Sequence, residues 1–98
     1  MVTYPIRVAR NGYRGADPKK KIKANRENQI AHDLESKLND LLLKQTAPVK
    51  VYLWHEISRV TGIPEDIVGR LGYSIDCGSN GFTAWRHDLS YEKAMSMI

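Results

Sequence analysis

The sequence predicts a mainly α-helical fold with a small β-hairpin, a long N-terminal helix and a basic flexible arm ahead of it. Three observations carry this expectation. Apolar residues recur at spacings of three and four from Ile30 to Leu42, the period changes to two after Gly72, and Lys and Arg crowd the chain before residue 27. The chain has 98 residues, enough for one core and too few for a second.

Residues 1–24 are expected to form the arm. Pro5, Gly12, Gly15 and Pro18 interrupt it, and its apolar residues are too sparse to sustain a period, although Pro5-Ile6-Arg7-Val8 suits a brief edge strand. Residues 1–26 hold Arg7, Arg10, Arg14, Lys19, Lys20, Lys21, Lys23 and Arg26 against Asp17 alone, a net charge of +7. Residues 27–98 hold seven basic and ten acidic side chains, a net of −3. Such asymmetry points to an acidic partner for the arm.

The domain proper is expected over residues 25–98. Ile30, Leu34, Leu38, Leu41 and Leu42 make one stripe on a helix from about Asn25 to Gln45, which Thr46-Ala47-Pro48 ends. Ala31, Leu34, Leu38 and Leu41 also fit a heptad spacing for about two repeats, so the stripe serves either packing within the domain or a homodimer seam. Val49 and Val51 flank Lys50 in a short strand. A second helix follows over about Leu53–Thr61, with Leu53, Trp54, Ile57 and Val60 on one face and Gly62 as a left-handed cap.

Pro64 suits the first turn of a third helix that buries Ile67, Val68 and Leu71 and ends at Gly72. Tyr73, Ile75 and Cys77 then alternate as the inward face of a strand. Gly78-Ser79-Asn80-Gly81 supplies turn chemistry, and Phe82–Arg86 returns as the second strand of a hairpin. Ser90 can cap a short last helix, with Leu89 outside the cap packing near Ala94.

Within this order, the segment His55–Leu71 resembles the helix-turn-helix pattern, and residues 47–86 resemble a winged helix-turn-helix domain. The residues that carry the resemblance are apolar Ile57, small Ser58, Gly62 four positions later, apolar Ile63, then Val68 and Leu71. The pattern needs a small residue where the helices cross, a glycine in the turn and apolar residues to fix the angle. The resemblance implies that the third helix offers Glu65, Asp66, Gly69, Arg70 and Tyr73 to a major groove. Glu65 and Asp66 depart from the usual lining; a carboxylate there accepts from a cytosine amine or simply complements the helix dipole. Arg86 is the one positive residue at the base of the hairpin.

No catalytic constellation or cofactor motif accompanies this. His55-Glu56 opens like the metalloprotease pattern HExxH, but Arg59 stands where the second histidine belongs. His32, His55 and His87 lack ligand spacing, and Cys77, the single cysteine, has no CxxC partner, so neither a metal site nor a disulfide is expected. There is no apolar run long enough for a membrane span and no signal-like leader, so the expected compartment is the cytoplasm. The expected function is a non-enzymatic, DNA-binding regulator of bacterial or phage type that acts by site occupancy, its arm supplying phosphate contacts. The alternative is a protein-interaction module on a winged-helix scaffold, for which the acidic body argues. A third reading has the arm bind RNA or an anionic membrane, although no apolar moment in residues 1–24 supports membrane insertion.

Overall fold

The computed structural model describes residues 1–76 and 80–98. It is mainly helical, with two antiparallel strands: α1 (Pro18–Lys44), β1 (Val49–Leu53), α2 (Trp54–Thr61), α3 (Glu65–Asp76), β2 (Gly81–Trp85) and α4 (Tyr91–Ser96). Among the described residues, no helix is long and apolar enough to cross a membrane.

The first helix begins well before the expected Asn25. Asp17 is its N-cap, with a side-chain oxygen accepting from Lys19 N at 3.0 Å, and Pro18 fills the first helical position, where its missing N–H costs nothing. Lys19, Lys20, Lys21, Lys23 and Arg26 are therefore helical rather than part of a flexible arm. At 27 residues α1 is about 40 Å long. It sets the long dimension of a molecule measuring 51 × 24 × 21 Å.

Residues ahead of α1 lie along it instead of extending into solvent. Ile6 and Val8 are buried in the core, and α1 side chains accept or bracket the backbone beside them. Ile6 N donates to Asn39 Oδ1 at 2.9 Å while Asn39 Nδ2 donates back to Ile6 O, Val8 N donates to Glu35 Oε1 at 2.9 Å, and Asn11 N donates to Asn28 Oδ1. The partners on α1 run backwards as the segment runs forwards, so it lies antiparallel to the helix. Short polar side chains here do what a neighbouring strand would do, satisfying backbone groups that burial removes from water.

The apolar stripe of α1 faces inward. Ala31, Leu34, Leu38 and Leu42 are buried against Tyr52, Trp54, Ile57, Val68, Phe82 and Ala84, and Leu41 packs at the edge. That is the packing role; the stripe has no free face left for a heptad seam. Gln45, at the C-terminus of α1, is the buried polar residue of the interior: it accepts from Tyr52 Oη at 2.7 Å and donates to the carbonyls of Ala47 and Ala84.

The sheet differs from the expected hairpin. β2 occupies the position foreseen for the second strand, but it pairs with β1, in the register Val49↔Trp85 to Leu53↔Gly81. Tyr73 to Asp76, foreseen as the first hairpin strand, continue α3. Gly72 accordingly lies inside the helix rather than ending it. Tyr73, foreseen as inward, is 58% exposed. The physical reason is that Val68, Leu71 and Ile75 share a helical face that packs on the core, which outweighs a four-residue alternation. Cys77, Gly78 and Ser79, expected at the strand end and turn, lie outside the described residues. The far edge of β2 is covered by Val2, whose N–H donates to Thr83 O and whose carbonyl accepts from Trp85 N, both at 3.0 Å.

Between α2 and α3 the turn follows the expected chemistry. Gly62 has φ 77°, left-handed, and its N–H returns to Ser58 O at 2.9 Å. Ser58 Oγ donates across the turn to Ile63 O at 2.6 Å, and Thr61 Oγ1 accepts from Ile63 N. Two apolar expectations on α2 fail: Leu53 is the last residue of β1 and Val60 faces solvent at 66% exposure, since only Trp54 and Ile57 of this short helix reach the core. Ser90 caps α4 as expected, accepting from Lys93 N at 3.1 Å above the buried Ala94.

Candidate nucleic-acid interface

The open face of α3 carries Glu65, Asp66, Arg70 and Tyr73 exposed, with Gly69 half-buried between them. Positions 66, 69, 70 and 73 recur at three and four, so they share one side of the helix. Beside the first two turns runs an open groove of about 770 Å³, lined by Leu53, Trp54, His55, Glu65, Asp66, Gly69, Arg70 and Asn80. Trp54 borders the groove from below, but its indole is buried in the core and packs closely against Gly72. His55, from the start of α2, reaches Glu65 at 3.6 Å and lies 2.9 Å from Arg59 Nη2. Arg59 thus occupies in space, as in sequence, the place a second metal-binding histidine would need.

Arg70 turns toward α1 and meets Glu27 at 3.5 Å. The Glu27 carboxyl is held below the usual range chiefly by a hydrogen bond from Asn11, and then by the charges of Arg70 and Lys23. Lys23 and Arg70 therefore flank one carboxylate. This sets the third turn of α1, at Glu27, beside the exposed face of α3, and α3 is joined to the segment ahead of α1 by Ser74, whose hydroxyl accepts from Ala9 N at 3.2 Å.

Beyond that join, Lys19, Lys20, Lys21, Lys23 and Arg26 are all exposed, with no carboxylate among residues 18–26. The helix carries them past the main core cluster, whose first α1 member is Ala31, with Ala24 buried among them. Arg7 and Arg14 are exposed on the segment lying against α1. Arg10 is committed locally: it donates to Val8 O at 2.9 Å and to Glu35 Oε2 at 3.1 Å. Together with the Val8 N–H, these charges hold the Glu35 carboxyl down.

Of the residues singled out from sequence, Arg86 alone stands apart. It follows the end of β2 remote from Gly81, where it donates to Asp88 at 2.6 Å and to Thr46 O at 2.8 Å. Four residue steps of strand, roughly 13 Å, separate Trp85 from Gly81, which follows the groove residue Asn80. Its role is to tie two loops together. Sequence reasoning in turn missed His55, Asn80 and Glu27. The only local sign of Glu27 is its spacing four residues after Lys23 on one helix, while His55 and Asn80 enter the groove through tertiary packing alone.

Among the described residues no group of three His, Cys, Asp or Glu side chains is arranged to hold a metal ion. Comparison with family models, curated proteins and solved structures finds no match to this chain.

Proposed function

We propose that the protein is a non-enzymatic DNA-binding regulator of the winged helix-turn-helix type, acting by occupancy of its site. In this reading α3 enters the major groove with Asp66, Gly69 and Tyr73 toward the bases and Arg70 at its edge beside Glu27, and the first turns of α1 follow the phosphates beside it. One observation carries the reading: Arg70 and Lys23 converge on Glu27, joining the α3 face to a helix end that bears five cations and no carboxylate. A cationic surface beside an exposed helix is the electrostatic footprint duplex binding requires. The phosphate contact is a helix end rather than a loose arm, so less ordering entropy opposes binding.

A second reading, a module that binds a basic protein surface, is favoured by Glu65 and Asp66 at the rim of the Trp54 groove. The deciding experiment is a salt titration of binding to random duplex DNA, made with the native chain and with Glu65→Gln/Asp66→Gln. Groove insertion requires affinity that falls steeply with salt and rises when the two carboxylates are neutralised. Absence of any salt-dependent duplex binding would reject the DNA reading.

A further inference from the structure

The sheet has one closed edge and one open edge. Arg86 N donates to Pro48 O and Trp54 N to Asn80 O, both at 2.9 Å, and these bonds bracket the β1–β2 ladder. Antiparallel ladders bond at every second pair, so Lys50 and Tyr52 turn their backbone groups to β2 while Val49, Val51 and Leu53 turn theirs away. Val2 closes the corresponding edge of β2. Among the described residues, nothing closes the edge of β1: the N–H and C=O groups of Val49 and Val51 and the N–H of Leu53 face solvent, the Leu53 carbonyl being the first acceptor of α2.

The side chains on that edge are apolar. Val51 is 55% and Leu53 39% exposed, with half-buried Val49 in the same row, and the strand's only charge is Lys50. Edges left free in soluble proteins are usually guarded by bulges, prolines or inward-pointing charges. Here Lys50 alternates with that row and lies on the Tyr52 face of the strand, its ammonium 5.2 Å from the centre of the Tyr52 ring.

We propose that β1 pairs with β1 of a second copy, antiparallel and centred on Val51, making one four-stranded sheet across a twofold axis. Three features select a second copy over an unrelated strand. In this register the two Val51 residues exchange both of their bonds, and each Leu53 N–H donates to a Val49 carbonyl, so four bonds form and each is matched by symmetry. The apolar row meets its own reverse: Val51 beside Val51, and Val49 beside Leu53. The charge is also complementary, because Lys50 comes opposite the neutral ring of Tyr52, whereas parallel in-register pairing would bring the two lysines together.

The test is sedimentation equilibrium of the full chain without DNA, so that it stands or fails separately from the DNA reading. The mean mass is expected to rise with concentration from 11.2 kDa toward twice that value. Val51→Pro removes an outward donor without touching the β1–β2 ladder, and Val51→Lys sets like charges on the axis at an exposed position; both variants should stay monomeric and melt like the native chain at concentrations where that chain is monomeric. In a Cys77→Ser background, Val51→Cys should cross-link on oxidation, the facing Cα atoms being about 5.5 Å apart and within disulfide reach, while Leu53→Cys, facing Val49, should not. A chain that stays at 11.2 kDa up to about millimolar concentration, at which even weak interfaces associate, would overturn the proposal. So would a dimer indifferent to both Val51 substitutions, or equal cross-linking at positions 51 and 53.

Discussion

The indole of Trp54 lies so close over Gly72 that a β-carbon on residue 72 would fall 2.5 Å from the ring, whereas one on Gly69 would lie at 3.5 Å, an ordinary contact. Two interior glycines of one helix therefore have opposite tolerance. Gly72→Ala is expected to destabilise the fold by about 1–3 kcal/mol, the usual cost of overpacking. Gly69→Ala should be neutral or stabilising by up to about 1 kcal/mol through helix propensity. Urea denaturation of the two variants checks this; equal midpoints would show that the indole can move aside.

Gln45 should matter more for stability than its place at a helix end suggests. It accepts the Tyr52 hydroxyl and donates to two carbonyls, one of them in β2, and burial pushes the Tyr52 phenol up. Gln45→Ala leaves the buried Tyr52 hydroxyl without its acceptor and takes one donor from each carbonyl, and is expected to cost about 1–3 kcal/mol. Tyr52→Phe removes one donor and leaves the amide its other bonds, so it should cost less. Thermal denaturation of both variants gives the order, and the reverse order would contradict it.

Acid should destabilise the protein in part through Glu35. Its carboxyl is lowered chiefly by the hydrogen bond from Val8 N, then by Arg10 and Arg7, with desolvation opposing. The unfolded chain therefore binds the proton more readily, and this contribution is present above the ordinary glutamate value of about 4.3 and lost as pH falls through the lower folded value. Glu35→Gln keeps an acceptor for Val8 but removes the titration. Below about pH 4.3 its stability should fall less steeply than that of the native chain. Glu27 and Asp88 shift in the same direction, so the slope should shrink without vanishing.

The lysines of α1 should supply affinity without sequence preference. Changing Lys19, Lys20, Lys21 and Lys23 to alanine removes up to four phosphate contacts, so the slope of log affinity against log salt should become shallower by up to about 3.6, at about 0.9 per contact. All four are exposed and alanine favours the helix, so the melting temperature should not fall. An unchanged slope would place the contact elsewhere. Arg70→Ala is the counterpart: loss confined to one base position means groove readout, and a uniform loss means a phosphate contact.

What the sequence made legible was local. Gly62 as a left-handed cap, Ser90 as an N-cap and the inward stripe of α1 each depend on residues within one or two turns, and each is found where expected. The start of α1 was equally local, in Asp17-Pro18, but the lysines that follow obscured it because they add no apolar period. Tyr73 to Asp76 failed for a different reason: Tyr73 and Ile75 satisfy a period of two as well as one of four, and only the core decides between them. The partner of β2 was illegible because Val49 and Trp85 are far apart in sequence. The candidate site divides in the same way. Its exposed α3 residues were readable from helix spacing, but the convergence of Arg70 and Lys23 on Glu27 depends on how α3 docks against α1.

The position of Val2 also bears on the order in which the molecule assembles. Val2 bonds to Thr83 and Trp85, about eighty residues further along the chain. β2 therefore gains its second neighbour only when two segments far apart in sequence come together. Such distant pairings carry a large loop-closure cost and form late. The bond between Val2 and β2 thus closes late, over a long loop of chain.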